Sequence, residues 1–166
     1  MALPFPVTVL RFSFIADHVL ERLSKPAEYD RPDRSQARVK LEAAGIPSSL
    51  RQGDMYALPL AEESADSIII HQVLHYAHSP ATAIAEAARV LAPGGTLLVV
   101  DFAAHDREEL RSTDAHIRLG FEDEVMAGWF AAAGLAVDQV QHLEGGELTV
   151  TLWRGVKAAV PQRRAA

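Results

Sequence analysis

The chain has 166 residues with a net charge of -6, 49% apolar and 23% charged residues, which is an ordinary composition for one globular domain. The lack of cysteine excludes disulfides, thiolate zinc sites and a cysteine nucleophile, and the acidic balance argues against a nucleic-acid surface, which needs clustered Lys and Arg. No apolar run approaches the ~20 residues of a membrane span, and the apolar start lacks the basic residues of a signal peptide. We therefore expect a cytoplasmic protein without nucleic-acid or membrane partners.

The first part of the chain gives the weaker signals of secondary structure. β-Branched and aromatic residues predict a strand over Val7–Ile15, and a short helix could follow over Asp17–Leu23. Two prolines and several charged residues indicate a loop over Ser24–Arg34. The spacing of apolar residues predicts a helix over Ser35–Ala44, which Gly45 ends.

Strands and helices alternate more clearly in the middle of the chain. A short strand is predicted over Ser49–Gln52, and another over Asp66–His71, whose three consecutive isoleucines indicate a parallel strand covered on both faces. The dipeptide Ser79-Pro80 suits the N-cap and the first position of the next helix. The predicted buried stripe of this helix is Ile84, Ala87, Ala88 and Leu91. Pro93-Gly94-Gly95 ends the helix, and an apolar strand follows over Thr96–Asp101.

A long polar connection, one more helix and a hairpin follow. The connection Phe102–Gly120 contains histidines, and connections of this length are often functional. A helix is predicted over Asp123–Ala133. Its predicted inward side chains are Val125, Met126, Trp129 and Phe130. Gly145-Gly146 indicates a hairpin between the strands Leu135–His142 and Glu147–Trp153.

The last strand and the order of elements predict the fold class. Apolar residues at alternate positions, separated by Thr149 and Thr151, predict one face against the core and one toward water. Residues after Arg154 are expected to form a tail. Because strands alternate with helices, the sequence predicts an α/β fold with a mainly parallel sheet, and the hairpin adds an antiparallel strand at the C-terminal side.

Several segments resemble those of one enzyme family in the same order along the chain. Gln52–Leu60 resembles the acidic loop after the third strand of class I S-adenosylmethionine (SAM) methyltransferases. His71–Tyr76 resembles the end of their fourth strand and the loop that follows. Glu86–Gly95 and then Leu97–Asp101 resemble their helix, turn and fifth strand. The resemblance implies a Rossmann-like sheet and a transferase that takes its methyl group from SAM.

The resemblance extends over residues 35–153 and is strongest to the small-molecule type of this family. That type includes methyltransferases of ubiquinone biosynthesis and methyltransferase domains fused to ArsR-type regulators. His105-Asp106 and Leu119-Gly120-Phe121 are similar to the second group. The resemblance therefore implies a small-molecule methyl acceptor.

The family binds SAM at the carboxyl ends of its strands, where sheets of this kind hold ligands. By this resemblance Asp54 accepts a hydrogen bond from the adenine amino group, and the backbone of Met55 pairs with the ring. Asp33, or in its place Asp30, holds the ribose hydroxyls. The structural alternatives are a turn formed by Asp54 and a helix N-cap formed by Asp33.

The resemblance also implies where the methyl group is transferred. His71 and Gln72 line the pocket near the sulfonium, although they could simply satisfy hydrogen bonds there. Transfer is a direct displacement onto N, O, S or C, so alignment supplies most of the catalysis. A histidine such as His71, His105 or His116 could serve on the substrate side, the last two as a general base.

Two further histidines and a metal site need separate mention. His75 and His78 flank a loop, and a solvated or capping role is expected for them, although His75 is also a candidate base. With His71 they have spacings of four and three residues, which is conceivable for a metal site. The segment crosses from strand to loop to helix without a carboxylate companion, so no metal is expected.

The front of the chain departs from the family pattern. No glycine precedes Gly45, whereas the family has a glycine-rich loop after its first strand, where the backbone approaches the cofactor. We expect a single domain over residues 1–166, with an atypical or shortened front end at 1–34, a family-like part at 35–153 and a tail at 154–166.

Three functional hypotheses follow. The first is a SAM-dependent methyltransferase of a small molecule. The second is a non-catalytic relative that has lost cofactor binding and acts through dimerisation or ligand binding. The third is a regulator-derived fragment without its DNA-binding half. An exposed sheet edge in a shortened fold would favour a homodimer or an upstream segment that completes the site.

Overall fold

The computed structural model describes residues 9–12, 43 and 53–159. Several predicted segments lie outside these residues, so their predictions stay open. They are the helix Asp17–Leu23, the loop Ser24–Arg34 with Asp30 and Asp33, nearly all of the helix Ser35–Ala44, and the strand Ser49–Gln52.

Five strands and three helices form the described fold. In chain order they are β1 (Val9–Phe12), β2 (Ala65–His71), α1 (Pro80–Val90), β3 (Leu91–Phe102), α2 (Leu110–Thr113), α3 (Asp123–Ala132), β4 (Leu135–Leu143) and β5 (Val150–Lys157). A 3₁₀ turn, Leu74–Tyr76, follows β2. The strands form one sheet in the order β1-β2-β3-β5-β4.

The sheet combines a parallel half with an antiparallel hairpin. β1 and β3 both run parallel to β2, and Ile68 of β2 lies beside Leu97 of β3. β5 runs antiparallel to both β3 and β4. The predicted α/β class, with its parallel strands and C-terminal antiparallel hairpin, is confirmed. The three parallel strands therefore bring their carboxyl ends to the same edge of the sheet.

Helix α1 begins where the sequence predicted but ends earlier. Ser79 is the N-cap residue and Pro80 the first helical residue, although the Ser79 hydroxyl bonds the hydroxyl of Thr82 at 2.7 Å rather than a backbone N–H. The predicted stripe is buried, with Leu91 already in the next strand. The helix ends at Val90, before the predicted stop at Pro93, because the chain joins β3 from Leu91 onward.

Helix α3 packs on the sheet through fewer side chains than predicted. Met126 and Phe130 are buried and Trp129 is partly buried, but Val125 is 43% exposed, so its predicted inward position is wrong. Phe130 lies against Gly155 of β5, where an added Cβ would be 2.6 Å from its Cε1 atom. The missing side chain at Gly155 therefore lets the helix approach the sheet.

Strand β5 buries the face that carries a threonine and a tryptophan, so the prediction that its apolar residues face the core and its threonines face water is wrong. Thr151 and Trp153 are both 0% exposed, whereas Val150 and Leu152 are half-buried. The Trp153 indole N–H donates to Asp123 at 2.8 Å, and the Thr151 hydroxyl bonds His142 at 2.9 Å. The strand continues to Lys157, three residues past the predicted start of the tail.

No helix among residues 53–159 is long and apolar enough to cross a membrane.

Candidate active site

The candidate site lies at the carboxyl ends of the parallel strands. β2 ends at His71 and β3 ends at Phe102, and His71 is paired with Val100 in the register of the two strands. The segments 72–79 and 103–122 leave the sheet at this edge. Open sheets of this class bind their ligands in the crevice beyond these strand ends.

The segment of residues 53–60 is held against helix α1 by an ion pair. The Leu58 N–H donates to Glu86 at 2.8 Å, and Arg89 donates to the carbonyl of Leu60 at 3.0 Å. Glu86 and Arg89 also bond each other at 2.8 Å. This hydrogen bond from Arg89 lowers the pKa of Glu86, so the carboxylate is ionised and holds the segment in place.

Asp54 and Met55 occupy different environments on that segment. The exposed Asp54 carboxylate accepts the N–H of Tyr56 at 2.9 Å, so it forms a turn, as the structural alternative supposed. A carboxylate has further lone pairs and can still accept a bond from a ligand. Met55 lines an apolar recess with Leu58, Ile70, Val73, Leu74, Ala83 and Ala87.

Residues His71 and Gln72 lie at the end of β2. His71 is half-buried and Gln72 is exposed. Gln72 has a φ of 47°, and its N–H donates to the Val100 carbonyl at 2.7 Å. A left-handed backbone is uncommon for a residue other than glycine, and such conformations concentrate at functional sites. The chain therefore turns sharply at the position predicted to face the sulfonium.

A buried aspartate holds the first of three clustered histidines. His75 is 2% exposed, and its Nδ1 lies 2.7 Å from an oxygen of Asp101. The Asp101 carboxylate also accepts the N–H groups of Leu74 at 2.9 Å and Phe102 at 2.8 Å. The expected solvated or capping role of His75 is wrong, because the turn after β2 folds its side chain onto the end of β3.

His116 and His105 complete this group, which we call the histidine cluster (His75, His105, His116 and Asp101). His116 is 7% exposed and stacks on Phe102 with ring centroids 5.7 Å apart and an angle of 20°. Its ring centroid lies 4.3 Å from that of His75 and 6.5 Å from that of His105. The structure thus brings together two predicted site residues that are eleven positions apart in the chain.

Backbone hydrogen bonds fold the long connection onto the end of β3. The Ala104 N–H donates to Phe121 at 3.1 Å, and the His105 N–H donates to Leu119 at 3.0 Å. The N–H groups of Ile117 and Arg118 both donate to the carbonyl of His75 at 3.0 Å. These bonds fix the positions from which His105 and His116 extend.

Burial keeps two of these histidines neutral. Loss of solvent lowers the pKa of His116, and the neighbouring His75 lowers it further. Loss of solvent also lowers the pKa of His105, with a smaller contribution from Arg107. His105 Nε2 and His116 Nδ1 are buried without a hydrogen-bond partner among the described residues. Such atoms cost about 1–3 kcal/mol each, and a ligand that supplies the missing partner would explain them.

A polar cleft lies on one side of the histidine cluster. It is an open cleft of about 550 Å³ between residues 103–107, which include His105, and the hairpin residues His142, Glu144, Glu147, Leu148 and Thr149. This volume is within the range of small-molecule sites. Among the described ranges, no group of three His, Asp or Glu side chains could hold a metal ion.

Comparisons with known proteins agree with this geometry. The sequence model of a family described as "Methyltransferase domain" matches residues 18–99. A ubiquinone/menaquinone biosynthesis C-methyltransferase of Edwardsiella ictaluri is 31% identical over 148 residues, which cover 72% of this chain and 58% of that protein. The chain belongs to the class I SAM-dependent methyltransferases. It spans a little over half the length of that curated relative.

Solved structures support the fold of this methyltransferase domain. A Bacillus halodurans protein described as a putative methyltransferase has a TM-score of 0.66 at 17% identity, covering 75% of this chain and 78% of that one. A Burkholderia thailandensis 1,6-didemethyltoxoflavin-N1-methyltransferase, solved with its substrate and S-adenosylhomocysteine (SAH), has a TM-score of 0.61 at 15% identity, covering 74% and 56%. Family membership implies SAM as the cofactor.

Sequence reasoning found part of this site and missed another part. His105 and His116 were predicted on the substrate side, and the structure brings them together. Asp101 was read only as the last residue of an apolar strand, and its partnership with His75 was missed. The available signal was a charged residue at the end of a strand buried in the sheet, since a buried carboxylate needs a partner.

Proposed function

We propose that this chain transfers a methyl group from SAM to a small-molecule acceptor. The observation that supports this most directly is the arrangement at one sheet edge. The small apolar recess at Met55 includes Ile70 of β2 and Leu74 just after it, and the histidine cluster is built on the next residue, His75, and on Asp101 of β3. A cofactor beside the recess and an acceptor beside the cluster would meet at His71 and Gln72.

Different residues are proposed to bind the different parts of the cofactor. Asp54 takes the adenine amino group, and the backbone of Met55 pairs with the ring. Asp33 takes the ribose hydroxyls, while His71 and Gln72 line the space near the sulfonium. When bound, SAM supplies a methyl group on a positively charged sulfur, which is a strong electrophile. The chain itself then aligns the acceptor with that methyl group and excludes water.

The acceptor is proposed to lie in the polar cleft beside His105. A neutral imidazole keeps a lone pair on one nitrogen, so His116 can accept the proton that the acceptor loses, and Nδ1 of His105 can accept it in place of its 3.3 Å hydrogen bond from the Arg107 N–H. The curated relative is named for C-methylation in ubiquinone and menaquinone biosynthesis. This supports a hydroxylated aromatic ring as the first acceptor to try, because loss of a hydroxyl proton makes such a ring nucleophilic.

Cofactor binding is tested by thermal unfolding with SAH. A ligand of the native state at 100 times its Kd adds about 2.7 kcal/mol, which raises Tm by about 5–11 °C at about 2–4 °C per kcal/mol. Asp54→Ala should remove most of this shift. Asp66→Ala is the matched control, because Asp66 is also exposed but lies near the opposite end of β2. The Tm of this control should rise with SAH as much as that of the unmodified chain.

The second hypothesis gives a different result in the same experiment. A non-catalytic relative without a cofactor site shows no change of Tm at millimolar SAH, and that outcome would refute the proposal. Turnover is then followed as SAH formation with SAM and 1,4-naphthohydroquinone, with phenol and aniline as simpler acceptors.

A homodimer and a cytoplasmic location stay predictions. We propose that dimers form through β4, which is the last strand of the described sheet and exposes Val140 and Leu143. Sheet edges of this kind pair with other chains unless they are protected. Light scattering after size exclusion should give twice the chain mass, and Val140→Lys should give the monomer mass.

A further inference from the structure

The buried pair of Asp101 and His75 has no role in the function proposed so far. The Asp101 side chain is 0% exposed. Its carboxylate receives two backbone N–H groups and the ring of His75. A buried carboxylate is stable only when it is hydrogen-bonded in this way. Two backbone bonds would suffice to anchor the loop, so the histidine calls for a further explanation.

The bond to Asp101 fixes the protonation pattern of His75. An ionised carboxylate can only accept hydrogen bonds. The Nδ1 atom of His75, 2.7 Å away, must therefore be the protonated nitrogen that donates. The orientation of the ring and its tautomer are thereby set, as they are in other histidines held by a carboxylate. The Nε2 atom is left to carry either a lone pair or a second proton.

The ring of His75 lies against His116, and His116 lies near His105. The ring centroids of His75 and His116 are 4.3 Å apart, and those of His116 and His105 are 6.5 Å apart. His116 and His105 each keep one buried ring nitrogen without a partner among the described residues. Asp101 is the buried anion of this group. A proton that binds His116 therefore places a positive charge near the buried Asp101 carboxylate.

We propose that Asp101 and His75 are positioning residues for the proton-accepting histidines, and that the acceptor is a molecule whose reacting atom carries a dissociable proton. This inference rests on the proposed function. The acceptor class includes hydroxyl groups, amines and enolisable carbons, and it excludes thioethers and tertiary amines. The methyl group replaces the proton on the acceptor atom, and the proton moves to a ring nitrogen of His105 or His116. No electrons are exchanged, and no other reactant is needed.

Other charged groups near the two histidines are less enclosed than Asp101 and His75. The groups that act on His116 are His75, Asp114, His105 and Asp101. The groups that act on His105 are Arg107, Asp106, Glu109 and His75. Asp114, Asp106 and Glu109 are exposed, so water screens them. Asp101 and His75 are the buried partners of His116, so changing them should have its clearest effect on His116.

His75→Gln is the first test, because it removes the histidine but leaves Asp101 with both backbone N–H groups. The full chain labelled with ¹⁵N is titrated by NMR without any ligand. His75 lowers the pKa of His116, so in this variant His116 should titrate at a higher pH than in the unmodified chain. Asp123→Asn is the matched control, because Asp123 also pairs with a histidine, His142 at 3.0 Å. It should leave His116 unchanged.

Asp101→Asn is the second variant, and the property measured for it is the tautomer of His75. The unmodified chain should show His75 protonated at Nδ1, and the variant should lose this preference because an amide can both donate and accept. For both variants, methylation of 1,4-naphthohydroquinone should fall by about tenfold to a hundredfold, with the acid limb of the rate for His75→Gln moved to higher pH. SAH affinity should stay within a factor of two.

The outcomes separate this inference from the proposed function. If SAH does not bind the unmodified chain, the proposed function fails. If SAH binds but His116 titrates identically in His75→Gln, the positioning role is overturned and Asp101 only anchors the loop. Faster methylation of dimethyl sulfide than of the hydroquinone would overturn the acceptor class. The titration needs neither cofactor nor acceptor, so it decides the positioning role even without turnover.

Discussion

Replacement of Gly120 by alanine tests whether the connection that carries His116 is docked on the sheet. Gly120 has a φ of 75°. A Cβ there would collide with the carbonyl oxygen of Ala103, and it would lie 2.5 Å from the carbonyl carbon and 2.9 Å from Ala104 N. These are backbone atoms next to the bond from Ala104 to Phe121, so they cannot move aside without breaking the contacts that position the histidine cluster.

Two other glycines separate the causes of the expected loss. Gly134 has a φ of 76° with no atom near its added Cβ, and Gly128 lies on an exposed helical turn, also with no atom nearby. Alanine in a left-handed conformation costs about 1–2 kcal/mol, which is the expected loss for Gly134→Ala. The collision should add about 1–3 kcal/mol for Gly120→Ala. Gly128→Ala should gain up to about 1 kcal/mol.

Thermal unfolding followed by circular dichroism measures all three variants. At about 2–4 °C per kcal/mol, Gly120→Ala should lower Tm by about 4–20 °C and Gly134→Ala by about 2–8 °C, while Gly128→Ala should leave Tm equal or slightly raised. A Gly120→Ala variant as stable as Gly134→Ala would show that the connection does not rest on Ala103. The histidine cluster would then lose its structural basis.

Three further predictions concern protonation and buried hydrogen bonds. Because burial lowers the pKa of His116 and His105, the unfolded chain binds protons that the folded chain does not. Stability should therefore fall as the pH drops from about 6.5 through their folded pKa values, and replacing both with Asn should flatten that fall in urea unfolding. Glu86→Gln should lower the free energy of unfolding by about 1–3 kcal/mol in the same assay. It should also speed proteolysis near Leu58, because the Leu58 N–H donates to Glu86. Equal stability would contradict the anchoring role. Thr151→Val should cost only about 0.5–1.5 kcal/mol, since its partner His142 can turn to water, and a larger loss would point to repacking.

Local sequence patterns were enough to predict most of the described elements. Three consecutive isoleucines marked β2, and Ser79-Pro80 marked the start of α1. Both signals can be read from adjacent residues, since a run of apolar residues is typical of a strand covered on both faces and proline fixes its own φ. The order of the motifs along the chain was likewise enough to indicate the methyltransferase family.

Only the tertiary structure decided which side chains meet. Asp101 and His75 are 26 residues apart, and nothing local to either residue requires the contact. The exposure of Val125 and the buried face of β5 were also decided by packing, because Gly155 gives room to Phe130 and the indole of Trp153 finds Asp123. A periodic pattern fixes which residues share a face, but the partner that covers that face comes from another part of the chain.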